Sequence, residues 1–292
     1  MFYRSRIKIP INHLKQLKTY FFERGLVKVR LIDAQVHAYE RNHKERPWVD
    51  ELVGPEEVTG DAMIREMERV GVDGAILVSP WTMYRYDASY AKSVYEKFPN
   101  KFRLVRPVDP NNPEVDEIIQ EWAKNKGAVA IRLMLAYEEQ RNSSDHGLDV
   151  VMRTASTCNL PVNLLCWDNV EEAGNLAKKY PDTRLVVDHL GIKQPFKPPV
   201  PNNPFSKLQK VLELASYDNV VIKITGVCTL SHKAFPFSDI WDPLEEVFAR
   251  FSLERCMWGT DWTRAINFVS YRESVDCFLN SSRLSSSEKA QL

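Results

Sequence analysis

Side chains that can exchange protons lie at the carboxyl ends of short apolar runs in this chain. Gln35 and His37 end the first run, Asp188 and His189 end a later one, and Asp261 ends the last. A carboxylate held between imidazoles can take a proton from water, and imidazoles can stabilise the oxyanion that forms when water attacks a carbonyl. These residue types predict acid–base chemistry, provided that the fold brings Asp261, His37 and His189 together.

Two basic residues, Arg132 and Lys223, interrupt other apolar runs. A charged group is costly in an apolar interior unless it is paired, so each is expected either to hold an anionic substrate group or to form an internal ion pair. Gln35 is expected to donate a hydrogen bond to the substrate. Trp81 and Trp167 fall near predicted strand ends, where they would line a pocket or serve only in packing.

Apolar runs alternate with helical patterns eight times from residue 29 onwards. The runs are continuous rather than alternating, which is typical of parallel strands covered by helices. No glycine-rich turn follows the first run, which disfavours an open dinucleotide-binding sheet. We therefore predict an α/β fold, a (β/α)₈ TIM barrel with functional residues at the carboxyl ends of its strands. The predicted strands are 29–36, 74–79, 102–106, 128–135, 162–166, 184–189, 220–225 and 256–262.

The chain is predicted to consist of a basic N-terminal extension, residues 1–28, and a barrel, residues 29–292. The first thirty residues contain eight Lys or Arg and one acidic residue, Glu23. This start could be a transit peptide, an extra helix packed on the barrel or a non-native segment. No secretory signal is evident, and a cytoplasmic protein is expected. The last residues, from Ser285, are expected to begin a final helix that is cut short.

Composition excludes several classes of partner. The 39 basic and 39 acidic residues balance, so no nucleic-acid footprint is indicated, and no apolar stretch is long enough for a membrane span. The five cysteines are widely spaced, which predicts neither a zinc knuckle nor a disulfide framework. A small-molecule substrate is expected, and a homo-oligomer is compatible with the sequence. The proline-rich segment 193–204 is long enough to serve as a lid.

Four motifs together resemble a known family. Gln35-x-His37, Asp188-His189-x-Gly191, Lys223-x-Thr225-Gly226 and Gly259-Thr260-Asp261-Trp262 are similar to the amidohydrolase-related (amidohydrolase 2) barrel hydrolases. Within these, the chain is most similar to the lactonase branch, which includes 2-pyrone-4,6-dicarboxylate and sulfomuconolactone hydrolases. The resemblance covers roughly residues 30–292 and implies a hydrolase acting on a carboxylic ester bond.

The sequence departs from this family at its metal ligands. The superfamily usually has His-x-His on its first strand, whereas this chain has Gln35, and residues 162–167 lack the histidine that many members carry. Only His37, His189 and Asp261 match the ligand set. Because a neutral amide is a poor zinc ligand, the expectation is either no required metal or a single Zn²⁺ held by these three residues.

The leading hypothesis is a hydrolase that opens a small anionic lactone. Water would be activated at Asp261, His37 and His189 would stabilise the oxyanion or hold one metal, and Arg132 would orient the anionic end. The alternatives are a zinc-dependent non-oxidative decarboxylase of the same family and a non-catalytic ligand-binding barrel.

Overall fold

Eight parallel strands follow one another around a single sheet in chain order. The computed structural model describes residues 21–23, 26–51, 53–137 and 141–292. The strands are β1 (Ile32–Val36), β2 (Gly74–Val78), β3 (Phe102–Pro107), β4 (Ala128–Leu133), β5 (Val162–Leu164), β6 (Leu185–Val187), β7 (Val220–Lys223) and β8 (Cys256–Met257).

The sheet closes between its last and first strands. The backbone N–H of Ala34 donates to Trp258 O at 3.0 Å, and that of Asp261 donates to Gln35 O at 3.0 Å. The Asp33 carboxylate reinforces this seam by accepting from the N–H of Thr260 at 2.9 Å. The predicted (β/α)₈ barrel is therefore confirmed.

Helices separate the strands and cover the outside of the barrel. They are α1 (Gly60–Val70), α2 (Trp81–Tyr84), α3 (Ser89–Lys97), α4 (Val115–Ala123), α5 (His146–Thr157), α6 (Val170–Lys179), α7 (Leu208–Glu213), α8 (Trp241–Phe251), α9 (Trp262–Ala265), α10 (Tyr271–Leu279) and α11 (Ser286–Gln291). The start of α1 follows from its cap, because Thr59 accepts a hydrogen bond from the N–H of Ala62. The four-residue helices α2 and α9 were not predicted, since one helical turn shows no hydrophobic periodicity.

The interior of the barrel is apolar on one side and polar on the other. Ala34, Ile76, Val78, Val105 and Ala130, from β1 to β4, form a small buried apolar cluster. The other side holds buried polar side chains that bond to each other across the ring. For example, Arg132 of β4 reaches Asp188, beyond β6, although β5 lies between those strands.

Strands β6 and β8 are among the strands that end earlier than predicted. Their last predicted residues leave the sheet because the backbone turns sharply there: His189 has φ 53°, Leu190 φ 59° and Asp261 φ 50°. Such left-handed conformations are costly for non-glycine residues and tend to persist at functional sites, where the surrounding structure enforces them.

The chain before the barrel is only partly described. Phe21–Glu23 pairs antiparallel with Leu26–Lys28, separately from the barrel sheet, and β1 begins at Ile32 rather than at residue 29. The remainder of the predicted basic extension lies outside the described residues. No helix in the described part of the chain is long and apolar enough to cross a membrane.

Candidate active site

Asp261 lies between two histidines at the carboxyl end of the barrel. Its Oδ1 is 3.2 Å from His37 Nε2, and its Oδ2 is 3.8 Å from His189 Nε2. The three side chains come from the ends of β1, β6 and β8 and are all buried. The structure thus brings together the three residues that the sequence nominated for acid–base chemistry.

The close contact between His37 and Asp261 requires a positive charge between the two side chains. His37 Nδ1 lies 2.7 Å from Val78 O, and because a carbonyl can only accept, Nδ1 carries a proton. In the neutral imidazole, Nε2 would then present a lone pair to Asp261 Oδ1, which is buried and accepts no hydrogen bond from a described residue. Two acceptors 3.2 Å apart are stable only if a proton or another cation lies between them.

The pKa values of both Asp261 and His189 are lowered by their surroundings. Burial alone would raise the pKa of Asp261, but the electrostatic influence of the adjacent His189 and His37 outweighs it. Burial lowers the pKa of His189, against the opposing charges of Asp261 and Asp188. A carboxylate beside a neutral imidazole can accept a proton from water.

A buried ionic network lies beside this triad. Asp188 accepts from Arg132 Nε at 2.7 Å and from Asn163 Nδ2 at 3.2 Å, and Lys223 Nζ is 3.1 Å from its Oδ1. Burial by itself would raise the pKa of Asp188, but Lys223 and Arg132 hold it at about 2. The network therefore satisfies one buried carboxylate with two buried cations.

A small cavity that is open to solvent lies over the triad. Trp81 and Tyr137 stack along its wall with ring centroids 5.0 Å apart, and Tyr137 meets Trp167 edge-on at 5.8 Å. This aromatic wall offers flat apolar surface to a small ring.

The predicted substrate-binding residues divide into two groups. Arg132, Trp81 and Trp167 line the cavity. Arg132 donates to a described residue only through Nε, which leaves its two terminal nitrogens for a ligand. Lys223 and Gln35 do not line the cavity. Lys223 Nζ bonds instead to Gln35 Oε1, at 3.0 Å, and to Asp188.

The sequence analysis missed several residues that line the cavity, above all Arg264. Its guanidinium lies 4.1 Å above the Phe196 ring. Within the described part of the chain its one hydrogen bond is to Thr82 Oγ1, at 3.5 Å, and it forms no ion pair with a carboxylate. Its position three residues after Asp261 was the available signal. Gln194 and Phe196 also line the cavity and belong to the proline-rich segment that was expected to be a lid.

The site does not have the arrangement of a preformed metal centre. Two imidazoles and a carboxylate are zinc-type donors, but no group of three or more His, Cys, Asp or Glu in the described residues has the geometry to hold an ion. Gln35 cannot complete such a set, because its oxygen faces Lys223 and its NH₂ group faces His189.

Fold and site together define a barrel hydrolase with a carboxylate and two imidazoles at the strand ends. Residues 32–291 match the family model described as amidohydrolase, and the chain belongs to this family.

Named relatives agree with this assignment. The chain is 25% identical over 214 residues to a 4-sulfomuconolactone hydrolase of Rhizobium radiobacter, an alignment that covers 72% of this chain and 68% of that protein. The fold of the present chain is similar to that of a probable 2-pyrone-4,6-dicarboxylic acid hydrolase of Acinetobacter baumannii, which was solved with citric acid bound. The TM-score is 0.70, and the identity is 19% over 90% of this chain and 96% of the other. A zinc-bound amidohydrolase of Burkholderia multivorans gives a TM-score of 0.71, at 19% identity over 90% and 95% of the two chains.

Proposed function

We propose that the protein hydrolyses a small lactone that carries an anionic substituent. The observation that carries this proposal is the buried Asp261 carboxylate, 3.2 Å and 3.8 Å from two imidazole nitrogens at the cavity. The 4-sulfomuconolactone hydrolase among the relatives supports the substrate class.

The chemistry divides between base and oxyanion stabilisation. Asp261 takes a proton from water, and the resulting hydroxide attacks the lactone carbonyl. The role we assign to His37, which lies beside Asp261 at the cavity, is to stabilise the tetrahedral oxyanion. The ring C–O bond then breaks, and the leaving alkoxide recovers a proton from Asp261.

The cavity supplies the means to orient such a substrate. The lactone ring packs against Trp81, Tyr137 and Trp167, while the terminal nitrogens of Arg132 and the guanidinium of Arg264 attract its anionic group. Guanidinium groups suit carboxylates and sulfonates, which accept two parallel hydrogen bonds.

The proposal is tested by replacing the base. Asp261→Asn should lower kcat for ring opening by about 10² to 10⁴, the usual contribution of a general base. The assay is proton release from a panel of lactones with and without carboxylate groups. Asp182→Asn, at an exposed position, is the matched control and should retain the wild-type rate.

Other outcomes would favour the rival hypotheses. Metal bound in a 1:1 ratio and lost together with carbon dioxide release from aromatic acids would identify a decarboxylase. Saturable lactone binding, without turnover in the wild type, would identify a ligand-binding barrel. Unchanged ring opening in Asp261→Asn would refute the proposed mechanism.

A further inference from the structure

Lys223 and Gln35 form a buried pair next to the triad but outside the cavity. Both side chains are almost completely inaccessible, at 1% and 0% exposure. Lys223 Nζ lies 3.0 Å from Gln35 Oε1, and the other end of the amide, Nε2, lies 3.4 Å from His189 Nε2. These contacts form a chain from the ammonium group to the imidazole.

The ammonium group determines which way the amide points. An ammonium has three donors and no acceptor, so the amide atom facing Lys223 must be the carbonyl oxygen. A flipped amide would set an NH₂ group against the NH₃⁺ group and leave two buried donors opposed. The NH₂ group of Gln35 therefore faces His189.

The amide in turn determines the tautomer of the imidazole. An amide N–H can only donate, so His189 Nε2 must accept with its lone pair. The single ring proton of the neutral imidazole is then on Nδ1, which lies 2.8 Å from Thr225 Oγ1 and can donate to it. An Nε2 that accepts a hydrogen bond is unprotonated, so the contact with Gln35 itself requires the neutral imidazole.

We propose that Lys223 and Gln35 are positioning residues that hold His189 as the Nδ1–H tautomer, with the Nε2 lone pair turned toward Asp261 and the cavity. In this state His189 cannot donate a hydrogen bond to an oxyanion. It can accept one from the water molecule whose other proton Asp261 takes. The tautomer does not depend on the proposed function; only its use in ring opening rests on that proposal.

This assignment gives Lys223 a role that differs from substrate binding. Lys223 also meets Asp188, so the same ammonium group neutralises a buried carboxylate and orients an amide. Loss of the ammonium should leave Asp188 with Arg132 and Asn163 as partners, but it frees the Gln35 amide to rotate.

The test reads the imidazole directly by ¹⁵N NMR of protein labelled at its histidines, at a pH where His189 is neutral. The wild type should show an unprotonated Nε2 and a protonated Nδ1 at His189, assigned by the signals that disappear in His189→Gln. Gln35→Glu keeps the acceptor for Lys223 but replaces the donor to His189 by a carboxylate oxygen. It should therefore convert Nε2 to the protonated type.

The controls separate tautomer control from general disturbance. Gln120→Glu makes the same change at an exposed position of α4 and should leave the His189 signals unchanged. Lys223→Met should give a mixture of protonated and unprotonated Nε2. It should also lower kcat about 10- to 100-fold, as expected when an orienting partner is lost.

Several results would overturn the proposal. A protonated Nε2 at His189 in the wild type does so by itself, even if no variant folds. An unprotonated Nε2 that persists in folded Gln35→Glu does so as well. Absence of lactone hydrolysis by the wild type would remove the proposed function while leaving the NMR result intact.

Discussion

The side chain of Asp33, in β1, links this strand to the residues that follow β8. Its Oδ1 accepts from the N–H groups of Gln35 at 3.0 Å and Thr260 at 2.9 Å, and its Oδ2 accepts from the hydroxyls of Thr260 at 2.5 Å and Tyr271 at 3.1 Å. No basic side chain among the described residues contributes to this network. One fully buried carboxylate thus holds the backbone next to both Gln35 and Asp261.

Because no described basic side chain contributes to the network around Asp33, the free energy of unfolding should depend on pH. Burial raises its pKa from 3.8 to about 6, although hydrogen bonds from Thr260, Gln35 and Tyr271 oppose the shift. Between these values the folded state holds a proton that the unfolded state has lost. The free energy of unfolding should therefore fall as pH rises through this window, by about 3 kcal/mol from this residue.

Asp33→Asn should remove this pH dependence. The amide oxygen can accept from both backbone N–H groups, and its NH₂ can donate to the two hydroxyls, so the variant should fold. Urea unfolding at pH 4, 5, 6 and 7 measures the effect as the difference between variant and wild type. A difference that stays constant over this range would contradict the assigned pKa.

Among the elements, β1 and the residues that follow β8 meet too closely to accept added volume. A Cβ atom at Gly259 would lie 2.6 Å from Thr225 Cγ2, 2.8 Å from Asp33 Oδ1 and 2.9 Å from Ala34 N. These neighbours are buried, and one of them is backbone, so they cannot move aside cheaply. The junction between β1 and the residues after β8 therefore requires glycine at position 259, two residues before Asp261.

Gly259→Ala should destabilise the protein by about 1 to 3 kcal/mol, the usual cost of overpacking. It should also lower kcat, because displacement of β8 moves Asp261. Gly71→Ala is the matched control: nothing lies within 4 Å of its new Cβ, and its φ of +82° imposes only a conformational cost of about 1 kcal/mol. Chemical denaturation and ring-opening rates measure both variants; equal kcat in Gly259→Ala and wild type would contradict the argument.

For the molecule as a whole, the barrel should not depend on the N-terminal extension. The short strands within 21–28 pair with each other, β1 begins at Ile32, and the family match begins at residue 32. Deletion of residues 1–28 should therefore shift Tm by less than about 2 °C, which corresponds to under 1 kcal/mol for a domain of this size. Calorimetry of the two proteins measures this shift, and a loss of several degrees would show that the extension packs on the barrel.

Sequence reasoning succeeded where local pattern carries the information. Continuous apolar runs separated by helical periodicity predicted the strand order and the barrel, because each element buries its own face whatever its neighbours are. Residues at strand ends could likewise be nominated, since in this fold the carboxyl ends of all strands share one rim. His37, His189 and Asp261 were nominated in this way, and the structure brings them together; their catalytic roles stay a prediction.

Partners across the ring were decided only by the tertiary structure. The sequence left Arg132 and Lys223 open between substrate binding and an internal ion pair; both meet Asp188, and only Arg132 also reaches the cavity. Nothing in the run around Gln35 reveals that Lys223, 188 residues away, orients its amide. Periodicity reports which face a residue occupies, whereas ionisation and tautomer depend on which groups from distant strands face it. Those groups meet only when the ring closes.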